Sequence, residues 1–220
     1  MSRNLLILSL VLVTMSLSFA HKDRGKSNFK KPSTQEKRGI KDQARPKVQK
    51  ILRMAQSLVG KRTRRFSWNR HSYNADCSGF LSYLFARQNI NLMDSSLARG
   101  ESNMTKIIYK TMHSRKLTHK RKIPKVGDLV FFHNTFDRNR DRRENDPFTH
   151  IGIVERIDAG GTIYFIHYIN PTYGVRRDKM NLFHPRDRSK NSYIRSRRRY
   201  PSPSGRYLTG ELFAGFASPY

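Results

Sequence analysis

The spacing of apolar residues predicts three helices in the first half of the chain. Residues 48–59 place apolar side chains three or four positions apart, which is typical of an amphipathic helix, and Gly60 supplies a stop signal. A second helix is predicted over about 78–88, with Phe and Leu side chains on one face. A third and weaker helical pattern lies between 103 and 113.

The second half of the chain has the patterns of strands and turns. A short apolar strand is predicted at 128–132, and further strands at 149–156 and 162–168. Residues 158–161 (Asp-Ala-Gly-Gly) have the composition of a hairpin turn, so the last two strands are predicted to be antiparallel neighbours. Helices followed by an antiparallel sheet define the fold class α+β.

Both ends of the chain differ in composition from this central region. Residues 1–20 have a basic start, a short apolar run and small residues at the end, which predicts a signal peptide rather than a membrane span. Residues 21–45 are basic and poor in apolar side chains, which predicts a disordered tether before a domain at 46–220. Within that domain, 176–206 is Arg-rich and predicted to be mostly irregular, and 208–217 is predicted to return as a strand or short helix.

The formal net charge of +28 limits the classes of partner. A charge of this size favours anionic partners, such as acidic wall polymers, membrane surfaces or nucleic acid, although simple solubility explains it equally well. The predicted signal peptide and the lack of a recognition motif count against nucleic acid. With the signal peptide removed, no transmembrane segment is predicted, so export to the periplasm or the exterior is expected.

A single cysteine, Cys77, stands in the segment 74–80 (Asn-Ala-Asp-Cys-Ser-Gly-Phe). A lone cysteine in an exported protein is either a small buried hydrophobe or a free thiol with a function. The predicted helix begins beside it, and the positive end of a helix dipole favours the thiolate. We therefore expect a lowered pKa for this thiol and a role in covalent catalysis.

Two histidines are predicted to meet across the hairpin. Pairing about the turn near Gly160 brings His150 and His167 roughly opposite each other, and a helix carrying Cys77 is expected to dock at this sheet edge. Cysteine catalysis needs a base and a group that orients the base, and these residues supply both. No paired histidine spacing typical of a metal site occurs, so neither a metal nor a cofactor is expected.

Four blocks of sequence, in this order, resemble a known group of enzymes. They are 76–80 (Asp-Cys-Ser-Gly-Phe), 127–132 (Gly-Asp-Leu-Val-Phe-Phe), 150–154 (His-Ile-Gly-Ile-Val) and 165–167 (Phe-Ile-His). Together they resemble the NlpC-type cell-wall peptidases and the related CHAP amidohydrolases. The resemblance implies a papain-like fold with N-terminal helices packed on a central antiparallel sheet.

The resemblance also implies a role for each site residue. Cys77 would be the nucleophile, His150 the general base and then acid, and His167 the orienting residue. Backbone N–H groups near Cys77 would form the oxyanion hole.

Further residues are implied around this set. Asp76 and Ser78 would help to bind the free amine of a stem peptide, and Tyr73 would line the site. The gap between the two histidines is longer than NlpC-type enzymes usually show, so Asn170 is an alternative orienting residue. The charged loop 137–146 is expected to overhang one side of the cleft.

Two functions are carried forward from the sequence. The first is a secreted cysteine peptidase or amidase that hydrolyses peptidoglycan stem peptides, with either an endopeptidase or an amidase bond specificity. The second is a catalytically inactive, strongly basic envelope protein that binds polyanions.

Overall fold

The computed structural model describes residues 34–220, with side chains from residue 46 onward. The predicted signal peptide at 1–20 and the first part of the predicted tether lie outside the described residues. The fold is α+β, with three helices that precede most of an antiparallel sheet. No helix in the described range is both long and apolar enough to cross a membrane.

Three α-helices supply the first layer: α1 (Thr34–Ser57), α2 (Cys77–Ala86) and α3 (Met104–Ser114). Helix α1 begins before the predicted start at 48, so residues 34–45 of the expected disordered tether are helical instead. Gln, Glu, Lys and Ala have high intrinsic helix propensities, and the segment can therefore extend a helix whose apolar part starts at Val48. A short 3₁₀ turn at Ser95–Ala98 was not predicted.

Eight strands follow one another along the chain: β1 (Phe66–Trp68), β2 (His71–Tyr73), β3 (Thr118–His119), β4 (Leu129–Phe132), β5 (His150–Ile157), β6 (Ile163–Tyr168), β7 (Val175–Met180) and β8 (Phe213–Ala217). Strands β1 and β2 form a separate hairpin. The other six form one antiparallel sheet in the order β3-β8-β4-β5-β6-β7. The predicted strands are therefore confirmed, and the 208–217 segment returns as a strand.

Both faces of the six-stranded sheet are covered. On one face, Ile151, Ile153 and Ile166 belong to a core shared with the helices. On the other face, Val154 and Phe165 belong to a second core that the C-terminal segment helps to close. Helix α2 packs on β5 and β6, which are interior strands, so it lies on the sheet's face and not at an edge as expected.

The Arg-rich C-terminal segment is anchored to the domain. Arg195 is 2% exposed and donates to the backbone oxygens of Asn134, Tyr200 and Pro201. The carboxylate of Glu144 accepts hydrogen bonds from Ser202, Ser204 and Arg206. The charged loop therefore packs against this segment.

Candidate active site

The start of helix α2 fixes the position of Cys77. Asp76 is the N-cap: its Oδ1 accepts a hydrogen bond from the Gly79 N–H at 2.8 Å and another from the Ser78 hydroxyl at 2.7 Å. A Cβ atom on Gly79 would lie 2.1 Å from the backbone oxygen of Asn74, so only glycine permits this close approach. The loop before the cysteine is thus held against the first turn of the helix.

The Cys77 thiol is buried, with 9% of the residue exposed. Its Sγ lies 3.7 Å from Oγ1 of Thr105, and the backbone N–H groups of Ile151 and Ser78 point toward it. Burial, together with the negative charge of Asp76, raises the pKa of Cys77 to about 11. The lowered pKa expected from the helix end is therefore wrong, because desolvation outweighs the hydrogen bonds to the sulfur.

His150 and His167 meet as predicted, although they are not directly opposite. Nε2 of His150 lies 2.7 Å from Nδ1 of His167. A bulge in β5 near Glu155 shifts the register, so that Gly152 faces His167 and His150 lies diagonally across from it. Because Gly152 has no side chain, the two imidazole rings can approach across the gap.

Within the described residues, no hydrogen bond joins Cys77 to His150. The burial of His150 and the neighbouring His167 hold the pKa of His150 well below its usual value, and the more distant Asp178 opposes this only in part. A raised thiol pKa and a lowered imidazole pKa favour a neutral pair. At neutral pH the site therefore rests as thiol and imidazole, not as an ion pair.

A fourth residue, Asp178, extends this set. Its Oδ2 lies 3.0 Å from Nε2 of His167, whose ring is fully buried. No sequence pattern points to Asp178, because the segment 176–206 that contains it is predicted to be mostly irregular. The alternative orienting residue, Asn170, instead uses its Oδ1 to accept from the N–H groups of Thr172 and Tyr173 in a turn.

A small cavity of about 220 Å³ opens at the first turn of α2, although neither Cys77 nor the two histidines line it. Its lining includes two of the three predicted substrate-binding residues, Tyr73 and Ser78, together with Met93 and Met104. Asp76 does not line it and serves as the helix cap described above. Ser82 lines it as well, and its buried Oγ has no hydrogen-bond partner in the described part of the chain.

The charged loop borders a second, larger cleft. Together with the start of α3 it encloses about 550 Å³, and the lining includes Glu101, Lys106, Arg138 and Asp146. Neither Cys77 nor the two histidines line this cleft. The loop therefore walls a charged groove next to α3.

Comparison with known proteins assigns the chain to a family. A model of the NlpC/P60 family matches residues 63–182, more than half of the chain. The chain belongs to the NlpC/P60 family. None of the curated proteins matches it. Among solved structures it is similar to "The crystal structure of Ly7917", with 16% sequence identity and a TM-score of 0.43 over 63% of this chain and 58% of that chain. The chain thus spans less than two thirds of that protein.

Membership of the NlpC/P60 family has consequences for fold and chemistry. The α+β architecture is the papain-like fold of this family. Members of this family are generally cysteine peptidases or amidases. The NlpC/P60 match ends at residue 182, so the part of the Arg-rich segment from 183 onward lies outside it. In the described range, no group of three or more His, Cys, Asp or Glu side chains is arranged to hold a metal ion.

Proposed function

We propose that this NlpC/P60 protein is a secreted cysteine hydrolase that cleaves a peptide or amide bond in the stem peptides of peptidoglycan. Cys77 is the nucleophile, His150 the general base and His167 the orienting residue. The observation that carries the proposal is the buried His150–His167 hydrogen bond of 2.7 Å, together with a cysteine at a helix N-terminus whose sulfur accepts from the N–H of Ile151, the residue after His150. This is the nucleophile, base and orienting group that acyl transfer requires.

The reaction starts from the neutral pair. As a substrate carbonyl enters, His150 takes the proton of the Cys77 thiol and the sulfur attacks the carbonyl carbon. The imidazolium of His150 then donates that proton to the leaving amine, which leaves a thioester on Cys77. Water attacks the thioester and gives its proton to His150, so the acid product leaves and the thiol is restored.

Several groups near Cys77 are candidates for binding the substrate. The first backbone N–H groups of α2 have no intrahelical acceptors, so they are candidates for the oxyanion hole. Tyr73 and Ser78 line the 220 Å³ cavity and would contact the residue next to the scissile bond. The carboxylate of Asp76 would contribute to binding the free amine of the stem peptide.

The test is a digest of purified peptidoglycan and of synthetic stem peptides, analysed by mass spectrometry. The wild-type chain is compared with Cys77→Ala and with His184→Ala, a matched change at an exposed histidine. We expect new amine termini with wild type and His184→Ala and none with Cys77→Ala. The masses identify the bond and so separate endopeptidase from amidase action. A folded wild-type protein that releases no product from either substrate would refute the proposal.

Export is a separate part of this proposal. It rests on the signal-peptide pattern at 1–20, and N-terminal sequencing of the protein recovered from the cell exterior or envelope tests it. A mature chain that begins near residue 21 is the expected result. Recovery of the uncleaved chain from the cytoplasm alone would contradict it.

A second function, binding of anionic envelope polymers, is favoured by one specific observation. The Arg-rich segment presents exposed arginines stacked on tyrosines, with Arg197 5.0 Å from the ring of Tyr193 and Arg199 5.5 Å from the ring of Tyr200. Stacking holds these guanidinium groups in place at the surface. Binding to an acidic polymer that persists in Cys77→Ala and weakens steeply with salt would support this function. The two functions are compatible in one protein.

A further inference from the structure

Three polar side chains form a diagonal line across three neighbouring strands. His150 on β5 contacts His167 on β6, and His167 contacts Asp178 on β7. In the β6–β7 register His167 pairs with Arg176, so Asp178 lies two positions further along the same face. Both nitrogens of the buried His167 ring are therefore engaged, one by a histidine and the other by a carboxylate.

The hydrogen positions along this line follow from the chemistry of each group. An ionised carboxylate only accepts hydrogen bonds, and a neutral imidazole has one N–H. The hydrogen bond from His167 and the charge of Arg176 lower the pKa of Asp178 although burial raises it, so Asp178 is ionised at neutral pH. With His167 neutral, its Nε2 donates to Asp178 and its Nδ1 accepts from His150. Consequently the hydrogen of His150 is on Nε2, and its Nδ1 has a free lone pair.

We propose that Asp178 is a positioning residue, which acts through His167 to hold His150 in the tautomer whose unprotonated Nδ1 accepts the Cys77 proton. The inference rests on the proposed function, in which His150 is the base. With the opposite tautomer of His167, Nε2 of His150 would accept a hydrogen bond and Nδ1 would hold the hydrogen. That state could not take a proton from the thiol.

Asp178 also contributes charge during the reaction. When the Cys77 proton moves to Nδ1 of His150, this imidazole becomes a cation with a hydrogen on each nitrogen. Its Nε2–H continues to donate to His167, and His167 continues to donate to the Asp178 carboxylate. The negative charge at the end of the line stabilises the imidazolium, and no further proton has to move.

Neighbouring side chains hold the carboxylate of Asp178 in place. Its side chain is 15% exposed. Ser192, from the Arg-rich segment, provides a hydroxyl next to the carboxylate, and Arg176 lies on the same strand face. The C-terminal segment thus helps to hold the carboxylate toward His167 and away from solvent.

The first test needs no substrate. In Cys77→Ala, imidazole nitrogen chemical shifts from heteronuclear NMR report which nitrogen of His150 and His167 is protonated. We expect His150 and His167 both protonated on Nε2 at neutral pH. In Cys77→Ala with Asp178→Ala, we expect a mixture of tautomers at both rings. Protonation of His150 on Nδ1, or identical shifts with and without Asp178, would overturn the proposal.

The second test uses activity and thiol chemistry. Asp178→Asn keeps an acceptor oxygen but removes the charge, and Asp187→Asn is the matched change at a surface turn. We expect kcat/KM on stem peptides to fall at least tenfold in Asp178→Asn, mainly through kcat, and to recover in part in Asp178→Glu. A purely structural role would lower the melting temperature and leave kcat per folded molecule unchanged, which would refute the proposal. If no substrate is found, the NMR result still decides the tautomers.

Discussion

The Sγ atom of Cys77 lies 3.7 Å from Oγ1 of Thr105, in the first turn of α3. This hydrogen bond lowers the pKa of the thiol and so opposes the effect of burial. Helix α3 therefore acts directly on the protonation of the Cys77 thiol, although its sequence pattern indicates only a weak helix. Thr105 is 3% exposed, so its hydroxyl is shielded from solvent together with the sulfur of Cys77.

Replacing Thr105 by valine keeps the branched shape and removes the hydroxyl. We expect the iodoacetamide alkylation rate at about pH 9 to fall about two- to tenfold, the size of one hydrogen bond's free energy. Thr105→Ser is the control and should keep the wild-type rate. Equal rates for Thr105→Val and wild type would show that this hydroxyl does not act on the thiol.

Because Cys77 and His150 rest as a neutral pair, the alkylation rate of the wild-type thiol should depend on pH in an unusual way. Because the pKa of Cys77 is raised to about 11, the alkylation rate should keep rising as pH increases through about 9 and should show no plateau near neutrality. Asp76 supplies the nearby negative charge, and Thr105, Ile151 and Ser78 supply the hydrogen bonds to the sulfur. A plateau at pH 6–8, the sign of a stable thiolate–imidazolium pair, would contradict this prediction.

The lowered pKa of His150 predicts that the folded protein loses stability in mild acid. Its pKa is lowered in the folded protein, so below its usual value of 6.5 the unfolded chain takes up a proton that the folded chain does not. The free energy of unfolding should therefore fall as pH drops below about 6.5, by up to about 1.4 kcal/mol per pH unit from this residue.

Urea unfolding of wild type and His150→Gln between pH 7 and 5 measures this contribution. The difference between the two free energies of unfolding should shrink as pH falls, because glutamine does not titrate. His184→Gln, at an exposed position, should leave the wild-type pH dependence in place. A constant difference between wild type and His150→Gln across this range would show that His150 titrates normally when folded.

The sequence predicted the parts of the site that local patterns define. Cys77 stands at the start of an apolar helix, and the Asp-Ala-Gly-Gly turn brings His150 and His167 together. Asp178 is not predicted from the sequence, because β7 (Val-Arg-Arg-Asp-Lys-Met) is an edge strand. Its charged residues do not show the alternation of apolar and polar side chains that is typical of a half-buried strand. Its strand status depends on pairing with β6, which only the fold reveals.

Two further differences have the same origin in tertiary context. The β1–β2 hairpin was missed because its turn uses Asn69 and Arg70, both with positive φ, in place of the usual glycine. The thiol pKa was predicted in the wrong direction because the helix dipole can be read from the sequence, whereas burial under α3 and β5 cannot. Local sequence patterns therefore locate the residues of the site, whereas tertiary packing determines their protonation states.

Asn103 connects the helix that carries Thr105 to the loop just before the strand that carries His150. Its Oδ1 caps α3 by accepting from the Lys106 N–H, and its Nδ2 donates to the backbone oxygens of Pro147 and Phe148. Asn103→Ala removes all three hydrogen bonds, so we expect the free energy of unfolding to fall by about 2 kcal/mol.

Asn103→Asp separates the two roles of this side chain. It keeps the capping oxygen and loses the two donors, so a smaller loss of stability is expected than for alanine. Alkylation of Cys77 should accelerate in both variants, because α3 no longer covers the thiol firmly. Urea unfolding and alkylation kinetics measure the two effects, and an unchanged alkylation rate in Asn103→Ala would show that the loss of these hydrogen bonds does not affect Cys77.

Glu144 holds residues 202–206 to the domain, and its loss should release this end of the Arg-rich segment without changing the reactivity of Cys77. Although burial raises the pKa of Glu144, hydrogen bonds from Ser202, Ser204 and Arg206 lower it to about 2. The contact is therefore present at neutral pH and is lost only as pH falls toward 2.

In Glu144→Ala we expect trypsin to cleave within 195–206 several times faster than in wild type, as followed by mass spectrometry. Asp187→Asn is the control for removal of a surface charge and should cleave at the wild-type rate. Faster alkylation of Cys77 in Glu144→Ala would instead mean that the segment and the site are one structural unit.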